Sequence, residues 1–340
     1  MKRRLSWIAW LSLVVILVAA SLPGCAAGDD KGDEVIRLAD CGWDTNTFMV
    51  YVNGFIIEHG YGYGVTIEST SNVVGLKAIE IGDIDVHMEV VPVSLQEPYE
   101  ALVATGKGEK IGEIYADPQV QAWYVPTFVI EGDAERGIEP MAPDLKSVFD
   151  LPKYSELFPD PEDDSKGLFY GCIPGWQCEK TNKAKLVGYG LDEYYNLITP
   201  GSDTALATSM IAAVEKGEPW FGYYWAPTWV LAKVDMTRLE EPEWSADLWT
   251  EEANYACGYP EEYPVIVGAT SLRERAPNVH EFLANCSVSG DMYNTMLLYL
   301  QDSGQLASDP EVTEWFLTRF EDVWTEWVSA DVADKVKAAL

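Results

Sequence analysis

Basic residues are scarce in this 340-residue sequence, and histidine is scarcer still. The chain holds 23 lysines and arginines and three histidines against 55 aspartates and glutamates, for a formal net charge of −32. Beyond the first few residues it has no cluster of basic side chains. A nucleic-acid-binding protein needs such a face to displace phosphate counterions. The sequence therefore excludes nucleic acid as a partner.

The motifs of the common hydrolases and nucleotide-binding enzymes are also absent. The sequence has no G-x-S-x-G, no H-E-x-x-H and no G-x-x-x-x-G-K-[ST]. The cysteines lack C-x-x-C spacing, and the histidines are scattered at His59, His87 and His280, which argues against a zinc site. The sequence thus predicts no catalytic residues, no metal and no cofactor.

The first 25 residues have the layout of a signal peptide. Three basic residues at positions 2–4 precede an apolar stretch, Trp7 to Ala20, that is shorter than the roughly 20 residues of a membrane-spanning helix. No later run approaches about 18 uninterrupted apolar residues. The segment Leu22-Pro23-Gly24-Cys25 resembles the lipobox of bacterial lipoproteins. An ordinary secretory signal or an uncleaved anchor is the alternative.

The lipobox resemblance implies cleavage before Cys25 and a lipid on its sulphur. The protein would then be lipid-anchored in the cell envelope, facing the periplasm or the exterior. Residues 26–33, which are small, polar and charged, are predicted to form a flexible tether to the folded part of the chain.

The remaining cysteines lie in a compartment where disulfides persist. Cys172 and Cys178 flank a Pro-Gly turn and are predicted to pair. A bond between Cys257 and Cys286 is a weaker prediction, and Cys41 is then expected to stay free because the number is odd.

Short β-like runs alternate with helix-length segments, first over residues 35–105 and again over 147–225. This alternation predicts an α/β fold with parallel sheets flanked by helices. Gln121–Glu131 and Leu231–Pro242 flank the second series and are the candidates for segments that pass between two lobes. The predicted lobe 1 is residues 34–125 and 240–340, the predicted lobe 2 is 126–239, and a ligand cleft lies between the lobes.

Aromatic side chains recur at the ends of the predicted strands. Trp43 and Trp176 each follow a strand and precede a helix, and the end of another strand carries four more aromatic residues, Tyr223, Tyr224, Trp225 and Trp229. Each ring alone is explained as well by core packing. Together, at strand ends that face a cleft, they suit a cation without hydrogen-bond donors, such as a quaternary ammonium.

One short acidic run suggests an alternative. Asp85, His87 and Glu89 alternate along a predicted strand and therefore share one face. They either place one or two charges at the mouth of the cleft or form an acid/base or metal site of a surface enzyme. We favour the former.

The chain resembles the glycine betaine/proline betaine family of ABC-transporter substrate-binding proteins. The matching segments run in the family's order over residues 35–275. They are Cys41-Gly-Trp-Asp-Thr-Asn46, Gly82-Asp-Ile-Asp85, Trp123-Tyr-Val-Pro-Thr127, Ala142-Pro-Asp-Leu-Lys146, Pro174-Gly175, Thr199-Pro-Gly-Ser202, Tyr224-Trp-Ala-Pro-Thr-Trp229 and Leu239-Glu-Glu-Pro242.

The resemblance implies a two-lobed, type II periplasmic-binding-protein-like fold with an aromatic cage. By motif match Trp43 and Trp225 are cage walls, and the backbone N–H groups of Gly175, Trp176 and Gln177 match the turn that holds a betaine carboxylate.

This sequence departs from the family pattern at two places near the ligand. A third cage tryptophan usually precedes a proline after the acidic strand, where this chain has Val90-Val91-Pro92. The family's histidine in Trp-Thr-Pro-His-Trp is also missing, since this chain reads Trp225-Ala-Pro-Thr-Trp229. Trp176 is expected to supply the lost ring, and Glu89 adds a negative charge beside the gap. The departures favour a bulkier or net-cationic amine over glycine betaine.

The sequence therefore predicts a solute-binding lipoprotein, not an enzyme, that delivers a quaternary ammonium or related amine to an ABC permease. A ligand-sensing lipoprotein without a permease is the remaining alternative.

Overall fold

The structure is a computed structural model, and it describes residues 34–340. The predicted signal peptide, the lipobox cysteine Cys25 and the tether lie outside the described residues. Within the described part of the chain, no helix is both long and apolar enough to cross a membrane.

Eleven strands and thirteen α-helices make up the described chain. The strands are β1 Val35–Asp40, β2 Gly64–Ser69, β3 Val86–Val90, β4 Gly108–Glu113, β5 Val120–Pro126, β6 Pro159–Asp160, β7 Asp163–Tyr170, β8 Tyr195–Ile198, β9 Gly222–Ala226, β10 Met236–Arg238 and β11 Val265–Ala269. The helices are α1 Asp44–Phe55, α2 Asn72–Ile81, α3 Gln96–Ala104, α4 Thr127–Glu131, α5 Gln177–Gly188, α6 Asp203–Lys216, α7 Trp229–Lys233, α8 Leu272–Arg275, α9 Pro277–Asn285, α10 Gly290–Ser303, α11 Pro310–Arg319, α12 Glu321–Trp324 and α13 Ala330–Ala339. A π-helical turn, Ile56–Gly60, continues α1, and Val148–Leu157 is a 3₁₀ segment.

The first sheet has the strand order β2-β1-β3-β11-β4. Strands β2, β1 and β3 are parallel, as the alternation of strands and helices predicts. Strand β11 returns from far along the chain and pairs antiparallel with both β3 and β4. The sheet is therefore mixed, and its antiparallel part arises from long-range pairing that a local pattern does not reveal.

The second sheet has the order β10-β5-β9-β7-β6, and β8 pairs with β7. Its β8-β7-β9 part is parallel, whereas β5 and β10 add in the antiparallel direction. Trp176 lies in the turn after the carboxyl end of β7, and Trp225 lies near the carboxyl end of β9. This sheet thus positions the aromatic side chains predicted in the second half of the chain.

The chain passes between the sheets twice, over residues 114–119 and 239–264. The two passages touch at an antiparallel bridge, where the Gln119 N–H donates to the Glu262 carbonyl at 2.8 Å. Gln121–Glu131 and Leu231–Pro242, expected to be the crossings, instead contribute β5 and β10 to the second sheet. The lobe boundaries proposed from the sequence stay a prediction.

Local signals fix the ends of the helices next to the cavity. The Ser71 hydroxyl caps α2 by accepting from the Val74 N–H, and Gly82 ends that helix with a left-handed φ of 85°. These caps set the position of Asn72, the first residue of the helix.

The five cysteines within residues 34–340 form one disulfide and leave three thiols free. Cys172 and Cys178 form a disulfide, with their Cα atoms 5.6 Å apart. Cys41, Cys257 and Cys286 are free and buried. The weaker prediction of a Cys257–Cys286 bond is wrong, because those two side chains belong to different hydrophobic clusters.

Candidate functional site

A cavity of about 520 Å³, counted with its open mouth, lies between the ends of the two sheets. It is lined by Trp43, Asn72, Glu89, Val91, Ser94, Leu95, Gln119, Gln121, Trp176, Gln177, Cys178, Thr181, Tyr223, Trp225 and Tyr259. Both sheets and both chain crossings therefore contribute to one site.

Three tryptophans predicted to bind ligand meet in this cavity. Trp43 precedes α1 at the carboxyl end of β1, and Trp225 lies near the end of β9. Trp176 stands edge-on to both, with ring centroids 5.1 Å from Trp43 and 5.7 Å from Trp225. All three line the cavity. The rings form an aromatic wall that joins the two sheets.

Strand β9 divides its aromatic side chains between two cavities. Successive residues of a strand point to opposite faces, so Tyr223 and Trp225 share a face and Tyr224 does not. Tyr223 lines the main cavity, whereas Tyr224 and Trp229 line a smaller, neighbouring one that Trp43 and Trp225 also border. The sequence analysis named both tyrosines at this strand end but chose Tyr224 as the ligand residue, although the strand alternation places Tyr223 on the same face as Trp225.

The smaller cavity carries two carboxylates. The Trp229 indole N–H donates to Asp44 at 3.0 Å, and the Tyr224 hydroxyl donates to Asp203 at 3.5 Å. Burial raises the pKa of Asp44, and burial together with the charge of Asp44 raises the pKa of Asp203 to about 7. These acids place negative charge behind the Trp43 and Trp225 rings.

Glu89 brings a carboxylate into the main cavity while being only 2 % exposed. Its Oε2 accepts from the Thr45 hydroxyl at 2.9 Å and from the Tyr115 hydroxyl at 3.0 Å. Its Oε1 accepts no hydrogen bond, although the Trp43 indole is close enough to favour the ionised form. Burial outweighs these partners and raises the pKa of Glu89 to about 7.

The other two acidic-run residues do not reach the cavity. Asp85 pairs with Arg37 at 3.0 Å and with Arg275 at 2.5 Å. His87 is buried with its Nε2 3.3 Å from the Cys41 sulphur, and burial lowers its pKa to about 3. Over residues 34–340 no three metal-binding side chains come together. The geometry does not favour the alternative of an acid/base or metal site at these three residues.

A chain of hydrogen bonds supports the floor of the cavity. The Tyr223 hydroxyl donates to Gln121 at 2.7 Å, and the Gln121 amide donates to the Ser94 hydroxyl at 3.1 Å. Ser94 in turn donates a short hydrogen bond to Glu262. The buried Glu262 also accepts from the Val93 and Ser94 N–H groups. This network ties the loop after β3 to the second sheet and to the returning chain.

The turn before α5 differs from the sequence-based expectation. Gly175 has a left-handed φ of +83°, and its N–H donates to the Glu179 carboxylate at 2.8 Å. The Trp176 N–H is used within the turn, where it donates to the Ile173 carbonyl at 3.2 Å. Gln177 and Cys178 line the cavity, and Gly175 does not. Two of the three N–H groups predicted to hold a ligand carboxylate therefore have partners within the protein.

Sequence reasoning missed most of the polar lining. Asn72 begins α2 after a serine cap, and its Oδ1 is buried without a hydrogen bond. Tyr259 reaches the cavity from the second chain crossing and donates to Asn182 at 3.1 Å. The cap at Ser71 gave a usable signal for the position of Asn72. Tyr259 gave none, because it lies outside any regular element.

Two mixed sheets with helices on their faces and a pocket between them define a type II periplasmic-binding-protein fold. The chain belongs to the family described as the substrate-binding domain of the ABC-type glycine betaine transport system, whose model matches residues 34–319. No functionally curated protein has a sequence that matches the chain significantly.

Solved structures share the fold at low sequence identity. The glycine betaine/L-proline-binding protein (ProX) of Borrelia burgdorferi is 17 % identical, with a TM-score of 0.71 over 89 % of this chain and 100 % of that one. An ABC-transporter choline-binding protein in complex with choline is 18 % identical, with a TM-score of 0.70 over 90 % and 97 %. Lactococcal OpuAC, closed on glycine betaine, is 14 % identical, with a TM-score of 0.67 over 87 % and 100 %.

Proposed function

We propose that this protein is the extracytoplasmic solute receptor of an ABC importer and binds a small quaternary ammonium or related amine. Trp43, Trp176 and Trp225 form the aromatic wall of its site. A lipid on Cys25 holds the receptor at the membrane, close to the permease to which it delivers the ligand. Family membership supports the transport role, and relatives of the same fold are described with glycine betaine and with choline.

The convergence of the three tryptophans in one cavity carries the proposal. Each ring presents a negative π-face, and each desolvated cation–π contact contributes about 2 kcal/mol. Two or three such contacts provide a large part of the roughly −8 kcal/mol that micromolar affinity requires. A trimethylammonium group has no N–H to satisfy, so it loses little when it leaves water for an apolar pocket.

The cage assignment is tested by Trp225→Ala. We expect a loss of roughly tenfold or more in affinity, because one cation–π contact is removed. Titration calorimetry with choline, glycine betaine and carnitine measures it. Trp244→Ala is the matched control, since Trp244 is 42 % exposed and does not line the cavity. If Trp225→Ala binds the best ligand with unchanged affinity and has the circular dichroism spectrum of the wild type, Trp225 is not part of the ligand site.

The lipid anchor is tested separately by membrane fractionation. The full-length protein is expected with the membranes, and Cys25→Ala is expected to lose the lipid. Equal lipid labelling of both forms would contradict the role of Cys25.

A further inference from the structure

We propose that two carboxylates of this chain, Glu89 inside the cavity and Glu179 in the turn beside it, set the ligand class. They select a monocation that donates a hydrogen bond, such as an amino alcohol, and they disfavour ligands that carry a carboxylate. The inference rests on the proposed function and deepens it.

The charge of the cavity is the first step. Among the described residues that line it, Glu89 is the only acid, and none is Lys, Arg or His. A zwitterionic ligand would bring its own carboxylate into a pocket that holds a buried negative charge and no basic side chain. Like charges in a poorly solvated site repel strongly. The charge balance therefore favours a ligand with one positive charge and no negative one.

The unsatisfied polar atoms are the second step. Glu89 is 2 % exposed and Asn72 is 8 % exposed, and each has a buried oxygen without a hydrogen bond. A buried polar group without a partner is costly, so native structures rarely leave one. Both of these free oxygens are acceptors and both residues line the cavity, where the Trp43 indole N–H beside Glu89 also has no hydrogen-bond partner. A ligand hydroxyl both donates and accepts, so it can satisfy both kinds of atom, whereas a ligand carboxylate can satisfy only the N–H.

The turn beside the cavity is the third step. A ligand carboxylate is best held by free N–H groups at a helix N-terminus. At the start of α5 the Glu179 carboxylate accepts the Gly175 N–H at 2.8 Å. The Gly175 position faces Ser71, the cap that precedes Asn72, so the turn closes against the opposite side of the cavity. Gly175 does not itself line the cavity, but Gln177 and Cys178 do, so Glu179 places a negative charge beside the N–H groups at the start of α5 that a ligand carboxylate would approach.

Three probes of similar size separate the two requirements. Choline is a monocation with a hydroxyl, tetramethylammonium is a monocation without a donor, and glycine betaine carries a carboxylate. Titration calorimetry on the full-length protein at pH 8 is expected to rank choline first, at least about tenfold tighter than tetramethylammonium, because a hydrogen bond to a charged group is gained. Glycine betaine is expected to bind weakest.

Two substitutions assign the effect to residues. In Glu89→Gln, the affinity for choline is expected to fall about tenfold or more, and the ratio of the choline affinity to the tetramethylammonium affinity is expected to shrink. In Glu179→Ala, the affinity for glycine betaine is expected to rise severalfold or more relative to that for choline, since a negative charge is removed from the start of α5. Asp331→Asn is the matched control, because Asp331 is an exposed acid in the first turn of α13 and does not line the cavity.

The outcomes distinguish this inference from the proposed function. If the wild-type protein binds glycine betaine more tightly than choline, the inference is overturned and the solute receptor stands. If choline and tetramethylammonium bind equally, or if both variants behave as Asp331→Asn does, the roles of the two carboxylates are overturned. If none of the three probes binds, the proposed function itself fails.

Discussion

Two buried glutamates of this molecule have opposite surroundings. The Glu241 carboxylate lies 2.5 Å from the Lys185 ammonium, and both side chains are at most 1 % exposed. The Tyr189 hydroxyl donates to the same oxygen at 3.0 Å. Glu89 is equally buried, but its hydrogen-bond partners are the neutral hydroxyls of Thr45 and Tyr115.

The difference is that Glu241 has a cation of the protein beside it, whereas the hydrogen-bond partners of Glu89 are neutral. Burying a carboxylate is costly unless a cation lies beside it. Lys185 is that cation for Glu241, and it is held in turn by the Cys257 carbonyl at 2.8 Å and by the Tyr259 ring at 4.4 Å. Glu89 faces the cavity instead, where a cationic ligand of the proposed class would take the equivalent place. The two glutamates should therefore respond differently when charge is removed.

The largest effect is expected for Lys185→Met. Removing the ammonium leaves Glu241 as an uncompensated buried charge, which costs about 3–5 kcal/mol of folding stability. Urea unfolding at neutral pH measures this loss. The double variant Lys185→Met/Glu241→Leu is expected to recover most of it, because well-packed apolar residues often replace a buried ion pair without loss.

Lys180→Met, on the same helix, is the matched control for this loss. Lys180 is half-exposed and pairs with Glu97 and Glu251 at the surface. Such a pair contributes at most about 1 kcal/mol. If both lysine variants lost the same stability, Lys185 would be no more than another surface charge, and the contrast with Glu89 would disappear.

A smaller effect of opposite sign is expected for Glu89→Gln in the ligand-free protein. The folded pKa of about 7 lies above the ordinary value of 4.5. The wild type therefore loses stability from this group as the pH rises through that interval, by up to about 3 kcal/mol. The variant lacks the titration, so its stability relative to wild type should increase between pH 4.5 and pH 8.

Urea midpoints for both proteins across this pH range measure the difference. Comparing the same pair at two pH values cancels any constant cost of the amide. Glu135→Gln, a change at an exposed acid, should stay within about 0.5 kcal/mol of wild type at both ends. A Glu89→Gln curve parallel to the wild type would mean that folding does not change the protonation of Glu89 over this pH range.

Sequence patterns predicted the parts of this molecule that depend on local order. The βα alternation gave the parallel strands β2, β1 and β3, and strand ends gave Trp43, Trp176 and Trp225, because the carboxyl ends of parallel strands meet at one edge. The sequence also showed that a valine, Val91, stands where the family pattern has a cage tryptophan, because this position directly follows β3.

Long-range pairs were beyond those patterns. Lys185 and Glu241 are 56 positions apart, so no periodicity joins them. Nothing in the sequence around Gly175 showed that Glu179 would take its N–H, since a first-turn glutamate has several possible acceptor roles. The net charge of a binding pocket depends on which of its charged side chains remain unpaired, and tertiary contacts decide that pairing.

The smallest effect is a pH dependence of cation affinity in the wild-type protein. Choline binding should favour ionised Glu89, so affinity is expected to fall by roughly tenfold or more as the pH drops from 8 to 5.5, through the Glu89 pKa of about 7. The other groups that face Glu89 stay neutral in this range. Burial lowers the pKa of His87 to about 3 and raises the pKa of the Cys41 thiol and the Tyr115 and Tyr293 hydroxyls.

Asp203, in the neighbouring cavity, also has a pKa of about 7 and is the competing source of such a dependence. Calorimetric titrations of Glu89→Gln and Asp203→Asn at both pH values separate the two acids. If Glu89 is responsible, Glu89→Gln binds choline weakly and equally at both pH values, while Asp203→Asn keeps the wild-type slope. The reverse result would move the binding charge from Glu89 to the carboxylates behind Trp43 and Trp225. Glu89 would then be a buried acid that stays protonated, and its contrast with Glu241 would reflect proton uptake instead of cation binding.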